Sequence, residues 1–550
     1  MRKVLIYSFI IVLFSSLLTG YPIHAASASV SKPTGGMLAD YESVIRETTP
    51  RADGIKHVNT PATIKKLKEL HIDTYYYLIW HQPTDWDDLK NEFISAADKA
   101  GINVIVYLVP PSESTGSRKS YPYVTDYIEW ARAIAELSLK HDNLVGWAID
   151  DFSFNLDFYT PEYMAQMKTT AKSINPKLSF MPQIYSPSLT EEFIQTRGQY
   201  IDGVIIAYRD DPYRNTQIWS TAQEQIDQAY HILQKHDLPL IWMVYTSRLT
   251  RTPGNPSAEY VTKVVQIALD NMRKGKLAGV ITYVLEKEFI PETEDHKAVS
   301  GNGYLSLFVP AGSPTNQADY VSASQMIQPD GSGIYTLTFQ TMDEGPNLAG
   351  YHYKQVMIDD EVVWEQDVAA NTTDQEWDKV VLDLTPYLTG KSQAKLTFRL
   401  YEKNGVKNFY NNIGFDALEA NGFTILDKDF ERKSNWEISR NYSGLIGEIL
   451  IYDPHRRMKV FYAVKVSYLT YDLYDQIVQS EVQLGVKHSL VVKIDQALTE
   501  YYAKHPKKAL NRLNALKNEM NDQAGKAIPQ ETADQWTSAI TLISSMITPR

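Results

Sequence analysis

Leu144-Val145-Gly146-Trp147-Ala148-Ile149-Asp150-Asp151 is a short apolar run that ends in two acids. Seven more runs of this kind lie nearby, at 37–42, 73–80, 103–109, 178–184, 203–208, 239–245 and 278–285. Longer segments with helical periodicity separate them, at 63–71, 86–100, 123–140, 161–174, 189–197, 220–235 and 258–274. Eight strands interleaved with seven helices over about 250 residues match the count and size of a (β/α)8 TIM barrel. The rival, a doubly wound open sheet, would carry a Gly-rich phosphate turn, and no such turn is present. The expected barrel therefore covers residues 37–295.

Two other rhythms follow. Between 300 and 425 the chain alternates in short strands (335–340, 353–358, 362–366, 379–384, 395–401, 411–418), broken by turn clusters such as Pro329-Asp330-Gly331. An antiparallel β-sandwich or jelly roll is expected there. Residues 426–473 are poorly patterned and read as an irregular linker. From 474 to 550 the period is helical again, with Pro506 and Pro529 at helix starts and Gly525 just past an end, which predicts a small α-helical bundle.

At the other terminus, Arg2 and Lys3 precede an apolar stretch over 4–18. Gly20, Pro22 and small-residue sites at Ala25 and Ala28 follow. This layout predicts a secretory signal peptide over 1–28 and an extracellular protein. No later segment is apolar enough to span a bilayer. The 550 residues include no Cys, which excludes disulfides, thiol nucleophiles and thiolate metal sites. A net charge of −12 without a basic block argues against nucleic acid as partner. No calcium-loop spacing, His-Glu-x-x-His or Gly-x-Ser-x-Gly occurs, so neither a metal nor a cofactor is expected.

In such a barrel, chemistry belongs to residues at the carboxyl ends of the strands. Read in order, those ends offer Asp40, then Trp80 and His81, then Asp150 and Asp151. Gln183 follows, then Tyr208, Arg209 and Asp210, then Tyr245, and last Glu286. Several carboxylates among Tyr and Trp suit glycosidic-bond hydrolysis, in which one acid protonates the leaving oxygen and a second carboxylate attacks or activates water. Asp150, Asp151, Asp210 and Glu286 are the catalytic candidates. Asp40, Trp80, His81, Gln183, Tyr208, Arg209 and Tyr245 are candidates for binding sugar. Each has a structural alternative, such as helix caps for the acids and rim packing for Trp80.

At these residues the barrel resembles secreted bacterial glycoside hydrolases. Leu144 to Asp151 is similar to strand four of chitinase-like barrels, and Ile201-Asp202-Gly203-Val204-Ile205-Ile206-Ala207-Tyr208 to their strand six. The chain departs from that pattern at Phe152, where a proton-donating Glu would stand. Acids on strands four and six resemble instead α-galactosidase-like barrels. That likeness implies a nucleophile at Asp150 or Asp151 and an acid/base at Asp210 or Asp211. Tyr351-His352-Tyr353-Lys354-Gln355-Val356 and Val363-Trp364-Glu365 resemble a carbohydrate-binding-module jelly roll. The C-terminal stretches Leu490 to Asp495 and Ala509 to Leu516 resemble a helical module of bacilli-type extracellular enzymes. That resemblance implies attachment to a cell wall or matrix. The expectation is a secreted hydrolase of a polysaccharide. The competing one is a non-catalytic carbohydrate-binding or surface-associated protein on a barrel that has lost catalysis.

Overall fold

The structure, a computed structural model, describes residues 36–547 except 117, 212, 213, 250, 294, 295, 346, 347, 371, 372 and 408. The expected signal peptide lies outside the described residues. Nine parallel strands form the first sheet: β1 Met37–Tyr41, β2 Thr74–Ile79, β3 Asn103–Leu108, β4 Leu144–Ile149, β5 Ser179–Phe180, β6 Gln183–Ile184, β7 Val204–Tyr208, β8 Leu240–Tyr245 and β9 Gly279–Tyr283. Their order is β5-β4-β3-β2-β1-β9-β8-β7-β6.

The two ends of that order, β5 and β6, are halves of one strand interrupted at Met181-Pro182, where Pro lacks the N–H a ladder needs. Across the break, Met181 N donates to Trp147 O on β4 (3.1 Å) and Ile205 N on β7 donates to Pro182 O (3.0 Å). The ladder therefore returns on itself as a ring. Alternate residues point to opposite faces. Ala39, Tyr41, Tyr107, Ala148, Ile205, Ala207, Ile241 and Ile281 fill the interior. Leu38, Tyr75, Val106, Trp147, Ile206, Trp242 and Val280 meet the surrounding helices. With both faces covered, each strand is a nearly unbroken apolar run.

Seven helical segments alternate with the strands, and the eighth comes from far along the chain. The helix Arg456–Gln479 sends Val460, Phe461, Val464, Tyr468 and Tyr471 into the barrel's outer core. Tyr468 Oη donates to Ala39 O (3.2 Å), and Lys465 pairs with Glu69 on the helix Thr60–Glu69 (2.9 Å). Arg456 anchors the start. It is buried against Glu292, donating from Nε and Nη2 at 2.8 and 2.7 Å, and it also donates to Thr246 O at 2.8 Å. The opposite side of this helix, through Val466, Leu469, Leu473 and Ile477, belongs to the core of the C-terminal bundle. The three remaining bundle helices are Leu484–Tyr502, Pro506–Gln523 and Gln530–Ile547.

This corrects the irregular linker expected at 426–473. That span also holds the strands Glu437–Arg440 and Ile446–Ile451, which complete the β-sandwich past its expected end at 425. A helix buried on two sides has no single apolar stripe, so no helical period shows in the sequence.

The sandwich is thus inserted between the last barrel strand and the last barrel helix. One sheet has five antiparallel strands and the other six, closing over Leu307, Val321, Phe339, Phe398 and Phe415. Trp364 leans edge-on against Phe339 (5.4 Å, 81°) and packs the sandwich. Among the described residues no helix is long and apolar enough to cross a membrane.

Candidate functional site

The chain just after β4 is the centre of the mouth. Ala148 faces the interior, so Asp150 does too, and its Oδ1 accepts from Tyr107 Oη at 2.9 Å. A regular strand would turn Asp151 away. Instead Asp151 adopts a left-handed conformation (φ 40°, ψ 34°), a strain of about 1 kcal/mol or more for a non-Gly residue. Its Oδ1 accepts from Tyr185 Oη at 2.6 Å, and its N–H donates to Gln183 Oε1 at 2.8 Å. The kink lets two consecutive acids reach tyrosines of the same interior layer. Gln183 is wholly buried and acts by positioning this turn.

A third carboxyl, Glu113, comes from the loop after β3. Burial and the Asp151 charge push it up to about 7. Burial, then Asp151 and Glu113, hold Asp150 well above the usual carboxylate range. Asp151 is also raised by burial, but the Tyr185 hydrogen bond, Arg209 and Arg214 pull against that rise. Three acids therefore share one region with unequal hold on their protons, a pattern that separates acid from base roles. Sequence reasoning missed Glu113 because it took residues directly at strand ends, and Val109-Pro110-Pro111 separates this one from its strand. The available signal was an acid in a loop leaving a carboxyl end.

The Glu113 shift has a consequence for stability. A carboxyl whose folded pKa is about 7, against an ordinary 4.5, makes the folded chain hold an extra proton between those values. Stability therefore falls as pH rises through that window. Glu113→Gln is expected to raise the melting temperature at pH 8 and leave it unchanged at pH 4.5, as read by differential scanning fluorimetry.

Beyond β7, Arg209 follows the inward Ala207. Its Nε donates to Asp211 Oδ1 at 2.8 Å, and its guanidinium lies 3.4 Å from the Tyr185 ring centroid. The floor is a layer of tyrosines. Tyr41 lies 4.4 Å from Tyr107 and 5.2 Å from Tyr283, and Tyr245 lies 4.6 Å from Tyr283. Phe154, 56% exposed, stacks on Tyr185 at 5.1 Å and offers a flat apolar face at the rim. On the β1–β2 side, His81 pairs with Glu42 (2.8 Å) and Arg118 lies over Trp80 (5.3 Å). A cleft of about 710 Å³ runs there past Glu42, Arg46, His81, Arg118 and Tyr121.

Asp150, Asp151, Arg209 and Tyr245 thus meet in the mouth, with Trp80 and His81 along its rim. Asp40, Tyr208 and Asp210 do not face it, which corrects the expectation for all three. The reason is strand parity: 39 and 207 point inward, so 40, 208 and 210 point toward the helices. Asp40 is wholly buried with Lys287 (2.7 Å) and Thr282 (2.7 Å). Tyr208 donates to Ile218 O (2.9 Å), and Asp210 accepts from Thr221 Oγ1 (2.7 Å). Glu286 sits apart, at the β1–β9 side, with Ser43 at 3.3 Å and Arg457 at 3.6 Å. Among the described residues no three His, Asp or Glu side chains are arranged to hold a metal ion.

No protein-family model matches the chain, and no curated protein matches it. Solved structures similar to it are glycoside hydrolases. One is a glucosidase from Croceicoccus marinus, 10% identical over 68% of this chain and 97% of that one, with a TM-score of 0.33. A Bacteroides uniformis β-glucuronidase 2 is 10% identical over 69% of this chain and 65% of its own, with a TM-score of 0.36. A modular endo-β-1,4-mannanase from Cellulomonas fimi is 12% identical over 47% and 69%, with a TM-score of 0.33. The match spans less than two thirds of the length of the Bacteroides uniformis enzyme. Overlap this low leaves the functional reading to the geometry of the site itself.

Proposed function

We propose that this protein is a secreted glycoside hydrolase that cleaves a polysaccharide at the mouth of its parallel ring. The observation that carries the reading is the meeting of Glu113, Asp150 and Asp151 above a tyrosine floor at the strands' carboxyl ends, where catalytic groups of such barrels sit. Asp151, bonded by Tyr185 and near two arginines, is the carboxylate most readily ionised. In this reading it attacks the anomeric carbon or activates a water. Glu113 keeps its proton up to about pH 7 and delivers it to the departing glycosidic oxygen. Asp150, its proton held by burial, braces the turn by accepting from Tyr107 and from the Asp151 N–H at 3.1 Å. Phe154 presents an exposed face for a sugar ring to stack on. The sandwich and the C-terminal helices are accessory parts, the latter an attachment module, and export follows from residues 1–28.

Release of reducing sugar against a polysaccharide panel, beside calorimetric binding on the same panel, tests the reading. Release is expected for at least one polymer, and binding without release would leave a non-catalytic sugar-binding protein. Because Glu113 must be protonated to act, kcat is expected to fall above about pH 7. Glu113→Gln is expected to cost about 10²-fold or more in kcat toward substrates with poor leaving groups.

A further inference from the structure

We propose that Arg209 and Arg214 seat the carboxylate of an acidic sugar, so that the polymer cleaved at this mouth contains uronic acid. The proposal deepens the hydrolase reading above and rests on it. Arg209 is 4% exposed, placed face-on against Tyr185, and its Nε is spent on Asp211. Among the described residues its Nη1 is buried with no hydrogen-bond partner. Arg214, in a left-handed backbone conformation (φ 55°), likewise buries an Nε with no partner. A buried donor left unmet costs about 1–3 kcal/mol, and more when it is charged. Two such donors, on guanidinium groups near enough to repel each other, suit a ligand rich in acceptors.

The charges around them specify which acceptor. Asp211 bonds Arg209, and Asp151 is engaged by Tyr185. Burial and then repulsion from the Arg209 cation lower Arg214's hold on its proton, against an opposing pull from Tyr185, Tyr245 and Asp151. A neutral hydroxyl would accept hydrogen bonds here without relieving that repulsion. A planar carboxylate does both, because its two oxygens match the forked donors of guanidinium. Tyr185 touches both Arg209 and Asp151, so an acid group held by the arginines belongs to a sugar ring at or next to the bond being cut.

The test is calorimetric binding by the full-length secreted protein carrying Glu113→Gln, which slows cleavage of the probes and leaves the arginines and Asp151 untouched. The probes are oligosaccharides of polygalacturonate, alginate and hyaluronan, each beside its carboxyl-reduced form, with dextran sulfate as a general polyanion. At least one acidic oligosaccharide is expected to bind about 10-fold or more tighter than its reduced form. Adding Arg214→Gln is expected to bring that ratio to within about 2-fold, and Arg214→Lys to restore part of it. Equal binding of acidic and reduced forms, no binding of any probe, equal binding of dextran sulfate, or a preference unchanged in Arg214→Gln would each overturn the seat. The two readings fail separately. Hydrolysis of a neutral polymer without acid preference removes the seat and keeps the hydrolase. Acid-selective binding with no hydrolysis by the native chain removes the hydrolase and with it the claim about what is cleaved.

Discussion

Asp151→Asn is expected to lower kcat by about 10³-fold or more while leaving the protein folded, the largest effect of any single change at the mouth. The amide has nearly the shape of the carboxylate, and its oxygen still accepts from Tyr185 Oη, now at 2.6 Å. The left-handed turn is fixed by the backbone bond to Gln183, which the substitution spares. What is lost is the negative charge that would meet the anomeric carbon or take a proton from water. Asp150→Asn replaces a group whose hold on its proton is raised well above the usual carboxylate range by burial and the neighbouring acids, and is expected to cost far less, about 10-fold. Reducing-sugar assays on both variants, with circular dichroism to check the fold, read this directly. Full activity in Asp151→Asn would move the centre elsewhere.

The second large effect concerns stability. Arg456→Met is expected to destabilise the protein by about 3 kcal/mol, because it strands a buried Glu292 and leaves the Thr246 and Pro256 carbonyls without the guanidinium they accept from. Arg457 Nε still reaches Glu292 at 3.0 Å, which keeps the cost at the lower end for a broken buried pair. Removing both charges with Arg456→Met and Glu292→Met is expected to recover part of the loss, since no unpaired buried charge remains. The sign with pH follows from Glu292, whose two arginine partners hold it below its ordinary 4.5. Its contribution is present above that value and lost as pH falls through the folded pKa. Urea midpoints of wild type, single and double variants at pH 7 and pH 4 check both statements. An unchanged midpoint in the single variant would mean that Arg456 does not anchor the helix.

The strands were legible because burial on both faces writes them as unbroken apolar runs closed by Gly, Pro or charge, and eight of eight lie within a residue or two of expectation. The strand tips were harder. Whether Asp40 or Tyr41 enters the mouth turns on one residue of parity, and composition is blind to it because both faces are apolar. The same parity misplaced Tyr208 and Asp210 while Arg209 between them was found. Asp151 escaped parity through a backbone conformation that no residue type announces, since Asp is only one of several residues that tolerate it. The strand Tyr320–Pro329 went unread because its buried positions include Ser322 and Ser324, which look like solvent-facing residues.

The order in which the parts are joined bears on how the molecule must be made. When a ribosome has completed Tyr283, every stave of the ring exists, yet the flank between the helices Ala258–Arg273 and Thr60–Glu69 lies bare. The stretch that covers it ends at Gln479, after the whole sandwich has emerged. The sandwich must therefore bring its own two ends together, like a closed parenthesis, for that flank to be covered. A fragment cut at 295, the natural-looking place, would carry every acid of the mouth and leave bare the apolar flank that Val460, Phe461, Val464, Tyr468 and Tyr471 cover.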